Sequence, residues 1–179
     1  LHDALPICVA FGRNRPTVTI KIHHRRCSKS AACDCGRVMS VDQHKFLGLS
    51  IDSDLKFGSH VRRVCSKMRA GIAILARLRR NCTRGFLFAV YHALVGSHLD
   101  YMLPIYGSAP STLLERISVL QRRAIRICMN LPNRTPTSVL HSSSQIMPVI
   151  NRYALRLSLL MSPLLGSLQR PQHDRPAQD

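Results

Sequence analysis

Tryptophan is absent from the 179 residues, and aromatic residues make up only 5% of them. Any hydrophobic core must therefore be built mainly from aliphatic side chains, and the 45% of hydrophobic residues can supply it. No apolar run approaches the roughly 20 residues of a membrane-spanning helix, so we expect no membrane partner. The chain also lacks a Gly-rich phosphate-binding loop and a recognisable Ser-His-Asp order, which argues against nucleotide hydrolysis and triad chemistry.

Acidic residues are scarce: nine Asp and Glu stand against 26 Lys and Arg, giving a net charge of +17. Such an excess indicates a polyanionic partner, and nucleic acid is the commonest one. A solvated basic surface without a partner and an anionic membrane surface are the alternatives. Between residues 56 and 134 there are 14 basic residues and only two acids, Asp100 and Glu115. This region therefore carries most of the basic field.

No secretory signal is recognisable, and the seven Cys residues are odd in number and scattered. This pattern predicts reduced thiols and an intracellular protein, in cytoplasm or nucleus, rather than a secreted disulfide framework. Five residues could in principle ligate zinc, namely His23, His24, Cys27, Cys33 and Cys35. Their spacing contains no Cys-x-x-Cys pair, so we expect a surface hairpin with reduced thiols and no metal site.

The first seven residues, LHDALPI, resemble the translation of a common sequencing-library adapter. We therefore interpret residues 1–7 as a sequencing scar and exclude them from fold reasoning. A segment of that origin is expected to pack against nothing.

Hydrophobic periodicity predicts an α+β fold, with a small N-terminal β-sheet or hairpin element followed by a mostly α-helical bundle. Strands are expected within 9–22 and within 41–52, with Gly48 in mid-strand at a bulge or a close approach. A helix from Ser59 has apolar residues at spacings of three and four. Three further helices are expected. The first is capped by Thr83 and ended by Pro104 and Gly107, the second starts at a Thr112–Glu115 capping box, and the third covers 149–161.

Asp52 and Asp54 follow the second strand, and we interpret them as turn residues because Asp side chains bond nearby backbone N–H groups. Two-metal nucleotidyl transfer needs several carboxylates that converge on cations, and no other acidic cluster exists. The sequence therefore predicts no catalytic residue and no metal ligand within this chain.

Four stretches together resemble one protein family. They are HKFLGLSIDSDLKFGSHV, KMRAGIAILARLRR, VYHALVGSHLDYMLPIYG and LLERISVLQRRAIRI. In their order and spacing they are similar to reverse transcriptases of non-LTR retrotransposons of the jockey-like group. The matching positions in the last stretch are Gln121 and Arg126, with Ile117 where the family has Leu. The family's Tyr/Phe-Ala-Asp-Asp turn is absent from this sequence.

The resemblance implies a C-terminal palm and thumb fragment of an RNA-directed DNA polymerase. Residues 8–55 would be the end of the palm, 56–134 the thumb and connection, 135–162 a C-terminal helical segment and 163–179 a disordered tail. Phe46, Leu47 and Gly48 would form a primer-grip-like element. The predicted phosphate contacts lie on the basic face of the thumb helix and just beyond it: Arg62, Arg63, Lys67, Arg69 and Arg80.

The implied partners are an RNA template and a DNA primer, together with the upstream fingers and palm of the same polypeptide. Mg²⁺ is expected for the parental active site and no cofactor for this fragment, which we expect to be inactive alone. The alternatives are a small, basic, helical RNA-binding or adaptor protein that is not an enzyme, and a dead element that is never expressed.

Overall fold

The computed structural model describes residues 7–12, 20–23, 27, 33 and 35–168, with side chains to residue 163. The chain divides into two compact units, Leu1–Arg63 and Val64–Asp179. Short strands occupy the first unit and helices dominate the second, so the expected α+β class is confirmed. The division falls inside the first long helix, eight residues beyond the predicted boundary at residue 55.

Among the described residues of the first unit, two short ladders and one isolated bridge form the β-structure. Strand β1 (Ile7–Cys8) pairs in parallel with β2 (Met39–Ser40). Strand β3 (Gln43–Phe46) pairs antiparallel with β4 (Leu49–Asp52), with Phe46 opposite Leu49. The β3–β4 hairpin occupies the segment that was expected to hold one strand.

Gly48 lies in the turn of this hairpin, so its predicted place in mid-strand is wrong. The two central residues of the turn both have positive φ, 45° at Leu47 and 82° at Gly48. That combination defines the tight two-residue turns whose twist matches the twist of paired strands. Leu is an unusual first residue for such a turn, which is why the sequence did not signal it.

The predictions for the N-terminal residues have different outcomes. Within 9–22, Lys21 forms an isolated antiparallel bridge with Arg37, whereas residues 13–19 lie outside the described residues. Ile7 belongs to the segment interpreted as a sequencing scar, yet its backbone pairs with Met39, so the expectation of no packing is wrong at that residue. Backbone pairing needs no particular side chain, and Ile7 remains 38% exposed. Residues 1–6 lie outside the described residues.

Helix α1 (Gly58–Leu78) confirms the predicted amphipathic pattern. The apolar residues at spacings of three and four are buried: Val61, Val64, Cys65, Met68, Ile72 and Leu75. Gly71 also lies on the buried face, where a Cβ atom would stand 2.7 Å from the carbonyl oxygen of Leu94. Close backbone contact at this point therefore requires glycine.

The second helical stretch is interrupted before Pro104. Helix α2 (Arg84–Tyr91) is capped by Thr83, whose hydroxyl accepts the backbone N–H of Phe86 as predicted. It continues through a π-helical turn (His92–Gly96) into α3 (Ser97–Asp100). Pro104 falls in the first turn of α4 (Leu103–Tyr106), where its missing N–H costs no helical hydrogen bond. The helix therefore ends before Pro104 and not at it, whereas Gly107 does end a helix, as the C-terminal cap of α4.

Three helices complete the second unit: α5 (Ser111–Met129), α6 (Thr137–Ser144) and α7 (Val149–Leu168). The Thr112–Glu115 capping box is wrong, because α5 starts at Ser111 after Pro110, two residues earlier than a Thr112 cap would place it, and no side chain caps it. The residues 163–168 expected in a disordered tail belong to α7, and 169–179 lie outside the described residues. Among the helices of the described residues, none combines the length and the apolarity needed to cross a bilayer.

Candidate nucleic-acid interface

The tip of the β3–β4 hairpin presents two large apolar side chains. Phe46 is 59% exposed and Leu47 is 66% exposed. A left-handed backbone costs a non-Gly residue about 1–2 kcal/mol, so the fold holds Leu47 in a strained conformation at an exposed position. Strain of this kind often accompanies function.

Arg63 holds this tip to the start of α1. Its guanidinium Nη2 donates to the carbonyl oxygen of Gly48 at 2.7 Å and to Ser50 Oγ at 2.8 Å. The same nitrogen lies 3.3 Å from Nδ1 of His60. A phosphate contact by Arg63 stays a prediction, and the remaining N–H groups of its guanidinium would have to make it.

His60 is buried beneath the hairpin. Its Nδ1 accepts the backbone N–H of Ser50 at 3.4 Å. Burial, and secondly the positive charge of Arg63, lower the pKa of His60 from 6.5 to about 4. The imidazole is therefore neutral at pH 7 and serves as a hydrogen-bond acceptor.

Asp52 closes the loop between β4 and α1. Its Oδ1 accepts the backbone N–H of Phe57 at 2.8 Å, which confirms the predicted turn role. Asp54 forms an exposed ion pair with Lys56 at 3.3 Å.

The other basic residues predicted to contact phosphate are exposed. Arg62 lies on α1 within the first unit, and Lys67 and Arg69 lie on the part of α1 that belongs to the second unit. Arg80 lies two residues beyond the end of α1. Their contact with phosphate stays a prediction.

Within the second unit, a basic groove runs between α1 and α5. One part, of about 190 Å³, is lined by Arg69 and Arg123 together with small and aliphatic side chains. The adjoining part, of about 440 Å³, shares Ala76 and Arg123 with the first and adds Arg79 and Arg126. No acidic residue lines either part. We call this feature the α1–α5 groove.

Sequence reasoning did not select Arg79, Arg123 and Arg126 for the site. A signal was present on α5, because Val119, Arg123 and Arg126 recur at spacings of four and three and so share one helical face. Val119 is 49% exposed and Arg123 is also exposed, whereas Arg126 is half-buried. Arg126 is also held in place, since its Nη2 donates to the carbonyl oxygen of Thr135 at 2.9 Å.

Both acids of residues 56–134 are neutralised by partners. Arg152 Nη1 lies 2.9 Å from each carboxylate oxygen of Asp100. Glu115 pairs with Arg122 at 2.6 Å. Neither Asp100 nor Glu115 lines the α1–α5 groove, so no carboxylate in the lining offsets the positive charge of its four Arg residues.

The residues that carry the family resemblance in the second unit are largely buried. Gln121 donates to the carbonyl oxygen of Met147 at 3.0 Å and to the hydroxyl of Tyr91 at 3.4 Å. The hydroxyl of Tyr106 donates to the carbonyl oxygen of Leu99. Burial raises the pKa of both tyrosines, so they remain neutral and serve packing.

Comparison with known proteins gives two partial matches, both from Drosophila melanogaster. The chain is 28% identical over 101 residues to "RNA-directed DNA polymerase from mobile element jockey", covering 54% of this chain and 11% of that protein. It is 30% identical over 122 residues to "Probable RNA-directed DNA polymerase from transposon BS", covering 65% of this chain and 14% of that protein.

No family model and no solved structure matches the chain. The matched part of this chain spans about one eighth of the length of the two curated relatives. Its motifs and these matches agree: in sequence, the chain is similar to a part of the RNA-directed DNA polymerases of non-LTR, jockey-type retrotransposons.

Proposed function

We propose that this chain is the part of a retrotransposon RNA-directed DNA polymerase that holds the template–primer duplex. The observation that carries the proposal is the α1–α5 groove, with four Arg side chains in its lining and no carboxylate. Phosphates dominate the affinity of such surfaces, because each neutralised phosphate releases condensed counterions. Contacts of this kind fix register and orientation and carry no sequence information.

The hairpin tip supports the same role. Phe46 and Leu47 present apolar surface at a tight turn, and Arg63 and His60 hold the turn from below. In the proposed function, this tip contacts the sugar and backbone of the primer strand, as the family resemblance implies. Arg63 then acts as a positioning residue for the tip, and Arg62, Lys67, Arg69 and Arg80 offer exposed charge to phosphates.

Catalysis is assigned to parts of the parent polymerase other than this chain. Nucleotidyl transfer requires carboxylates that converge on two metal ions. The carboxylates of Asp52, Asp54, Asp100 and Glu115 are instead engaged in a turn or in ion pairs. The proposed fragment is the end of the palm, the thumb and a helical connection, and Mg²⁺ would bind in the missing active site.

The proposal is tested by fluorescence anisotropy with labelled RNA–DNA hybrids of three unrelated sequences. The expected result is a common affinity for the three hybrids that falls steeply as salt rises. Weaker binding to single-stranded RNA is expected, because a groove that holds a duplex matches paired backbones. Failure to bind any hybrid, or binding of only one sequence, would overturn the proposal.

A further inference from the structure

A second hairpin in the first unit brings together two separated segments of the chain. The backbone N–H of Ile22 donates to the carbonyl oxygen of Gly36 at 3.0 Å, and that of Val38 donates to Ile20 at 2.9 Å. Lys21 and Arg37 form a bridge between these two bonds. As a result, His23 and Cys35 lie at the same end of the ladder although they are twelve residues apart.

Four ligand atoms converge at that end. They are one imidazole nitrogen of His23 and the sulfur atoms of Cys27, Cys33 and Cys35, all within 4.8 Å of one another. Nδ1 of His23 is 3.3 Å from the sulfur of Cys27 and 3.5 Å from that of Cys33. All three Cys residues are thiols and partly buried.

We propose that His23, Cys27, Cys33 and Cys35 form a structural zinc site. Zinc–sulfur bonds of about 2.3 Å and zinc–nitrogen bonds of about 2.0 Å place tetrahedral ligand atoms about 3.5–3.8 Å apart. The two nitrogen–sulfur distances, 3.3 and 3.5 Å, are close to this separation, and all the other pairs of ligand atoms lie within 4.8 Å. Four protein ligands leave no open position, so the site would stabilise structure and not catalyse a reaction.

The chemistry of the donor set selects the metal. Thiolate and imidazole ligands favour zinc, whereas Mg²⁺ and Ca²⁺ prefer oxygen atoms. The spacing along the chain was the reason to expect no metal, because it lacks a Cys-x-x-Cys pair. The pairing in the hairpin brings the four ligand atoms together, which the spacing along the chain does not reveal. His24, the fifth candidate, lies outside the described residues.

The composition of the segment explains what zinc would do there. Apart from its three Cys residues, the stretch from His23 to Cys35 contains only two apolar residues, Ala31 and Ala32. Such a segment cannot bury a core of its own, and metal binding supplies folding free energy in small elements of this kind. The inference concerns the first unit alone and does not depend on the proposed function.

The site is tested on the full chain, purified under reducing conditions, loaded with zinc and dialysed. Elemental analysis is expected to find one zinc ion per chain. Replacement of zinc by Co²⁺ should give the intense visible bands of a tetrahedral ion and a thiolate-to-cobalt charge-transfer band. The double variant Cys33→Ser/Cys35→Ser should lose both signals, with a loss of affinity beyond the roughly 10–100-fold that outer-shell changes cause.

The matched control is Cys8→Ser/Cys82→Ser, which removes two partly exposed thiols outside the cluster and should bind zinc like the unchanged chain. Far-UV circular dichroism confirms that the helices of both variants are intact. Failure of the unchanged chain to retain zinc would overturn the proposal. Equal zinc retention by the Cys33→Ser/Cys35→Ser variant would also overturn it, since the metal would then lie elsewhere.

Discussion

The β3–β4 hairpin should lose stability as the pH falls from 6.5 towards 4, because His60 binds a proton more readily when the hairpin is open. In the folded chain, Nδ1 of His60 accepts a hydrogen bond from Ser50 and faces the guanidinium of Arg63. A proton on Nδ1 would abolish the acceptor and place two positive charges side by side. The unfolded state, with an ordinary pKa near 6.5, therefore binds more protons than the native state between pH 6.5 and about 4.

The magnitude follows from the lowered pKa. One pKa unit corresponds to about 1.4 kcal/mol, so the change from 6.5 to about 4 sets an upper limit of about 3 kcal/mol. Relaxation and water penetration reduce this figure, and we expect a loss of about 1–3 kcal/mol. This stability is fully present above pH 6.5 and is lost as the pH falls towards 4.

Amide hydrogen exchange of Ser50 and its neighbours measures the local free energy of opening, once intrinsic exchange rates are taken into account. The opening free energy should fall with pH in the unchanged chain and stay flat in His60→Asn, whose side-chain oxygen can accept the bond but does not titrate. His44→Gln, at an exposed position of β3, should behave like the unchanged chain. A His60 that titrates near 6.5, or a flat profile in the unchanged chain, would refute the reasoning.

Two further predictions concern glycine and the hairpin tip. Gly71→Ala should lower the free energy of unfolding by about 1–3 kcal/mol in urea titrations, because its Cβ would meet the carbonyl oxygen of Leu94. Gly85→Ala is the control. Nothing lies within 4 Å of the Cβ atom that this substitution adds, so it should raise the free energy of unfolding by about 0.4–1 kcal/mol. Leu47→Asn should stabilise the hairpin by about 1 kcal/mol by relieving the left-handed strain, and weaken hybrid binding if the tip contacts the primer. Weaker protection of the hairpin amides from hydrogen exchange in Leu47→Asn would contradict the expected stabilisation. Unchanged affinity for the hybrid would contradict a contact between the tip and the primer.

The helices were largely predictable because their signal is local. The buried face of α1 follows from apolar spacings of three and four, and the cap at Thr83 follows from its hydroxyl three residues before a free helical N–H. Helix ends were predicted less well. At Pro110 the chain starts α5 without a side-chain cap, so the Thr112–Glu115 pattern had no structural consequence.

The candidate sites were harder to predict because they depend on contacts between distant residues. The turn at Leu47 and Gly48 places a bulky residue at positive φ, against its local preference. The α1–α5 groove combines the charges of Arg69 and Arg79 with those of Arg123 and Arg126, which lie more than 40 residues further along the chain. The His23–Cys35 cluster arises from hairpin pairing, which spacing rules for metal motifs do not describe.

Two residues of the family motifs have a structural role. They are Gln121 on α5 and Tyr91 on α2, both with polar side chains. In the structure they are buried and bonded to each other, so they specify the packing of α2 against α5.

The central claim is that the α1–α5 groove contacts nucleic-acid phosphates, and the salt dependence of hybrid binding tests it most directly. The groove variant is Arg69→Gln/Arg79→Gln/Arg123→Gln. Its control, Arg77→Gln/Arg116→Gln/Arg156→Gln, removes the same charge from exposed positions outside the groove lining. Each lost phosphate contact reduces the slope of log affinity against log salt by roughly 0.7–0.9. The groove variant should therefore flatten the slope by about 2–3 and the control by much less. Equal slopes for the two variants would contradict the account.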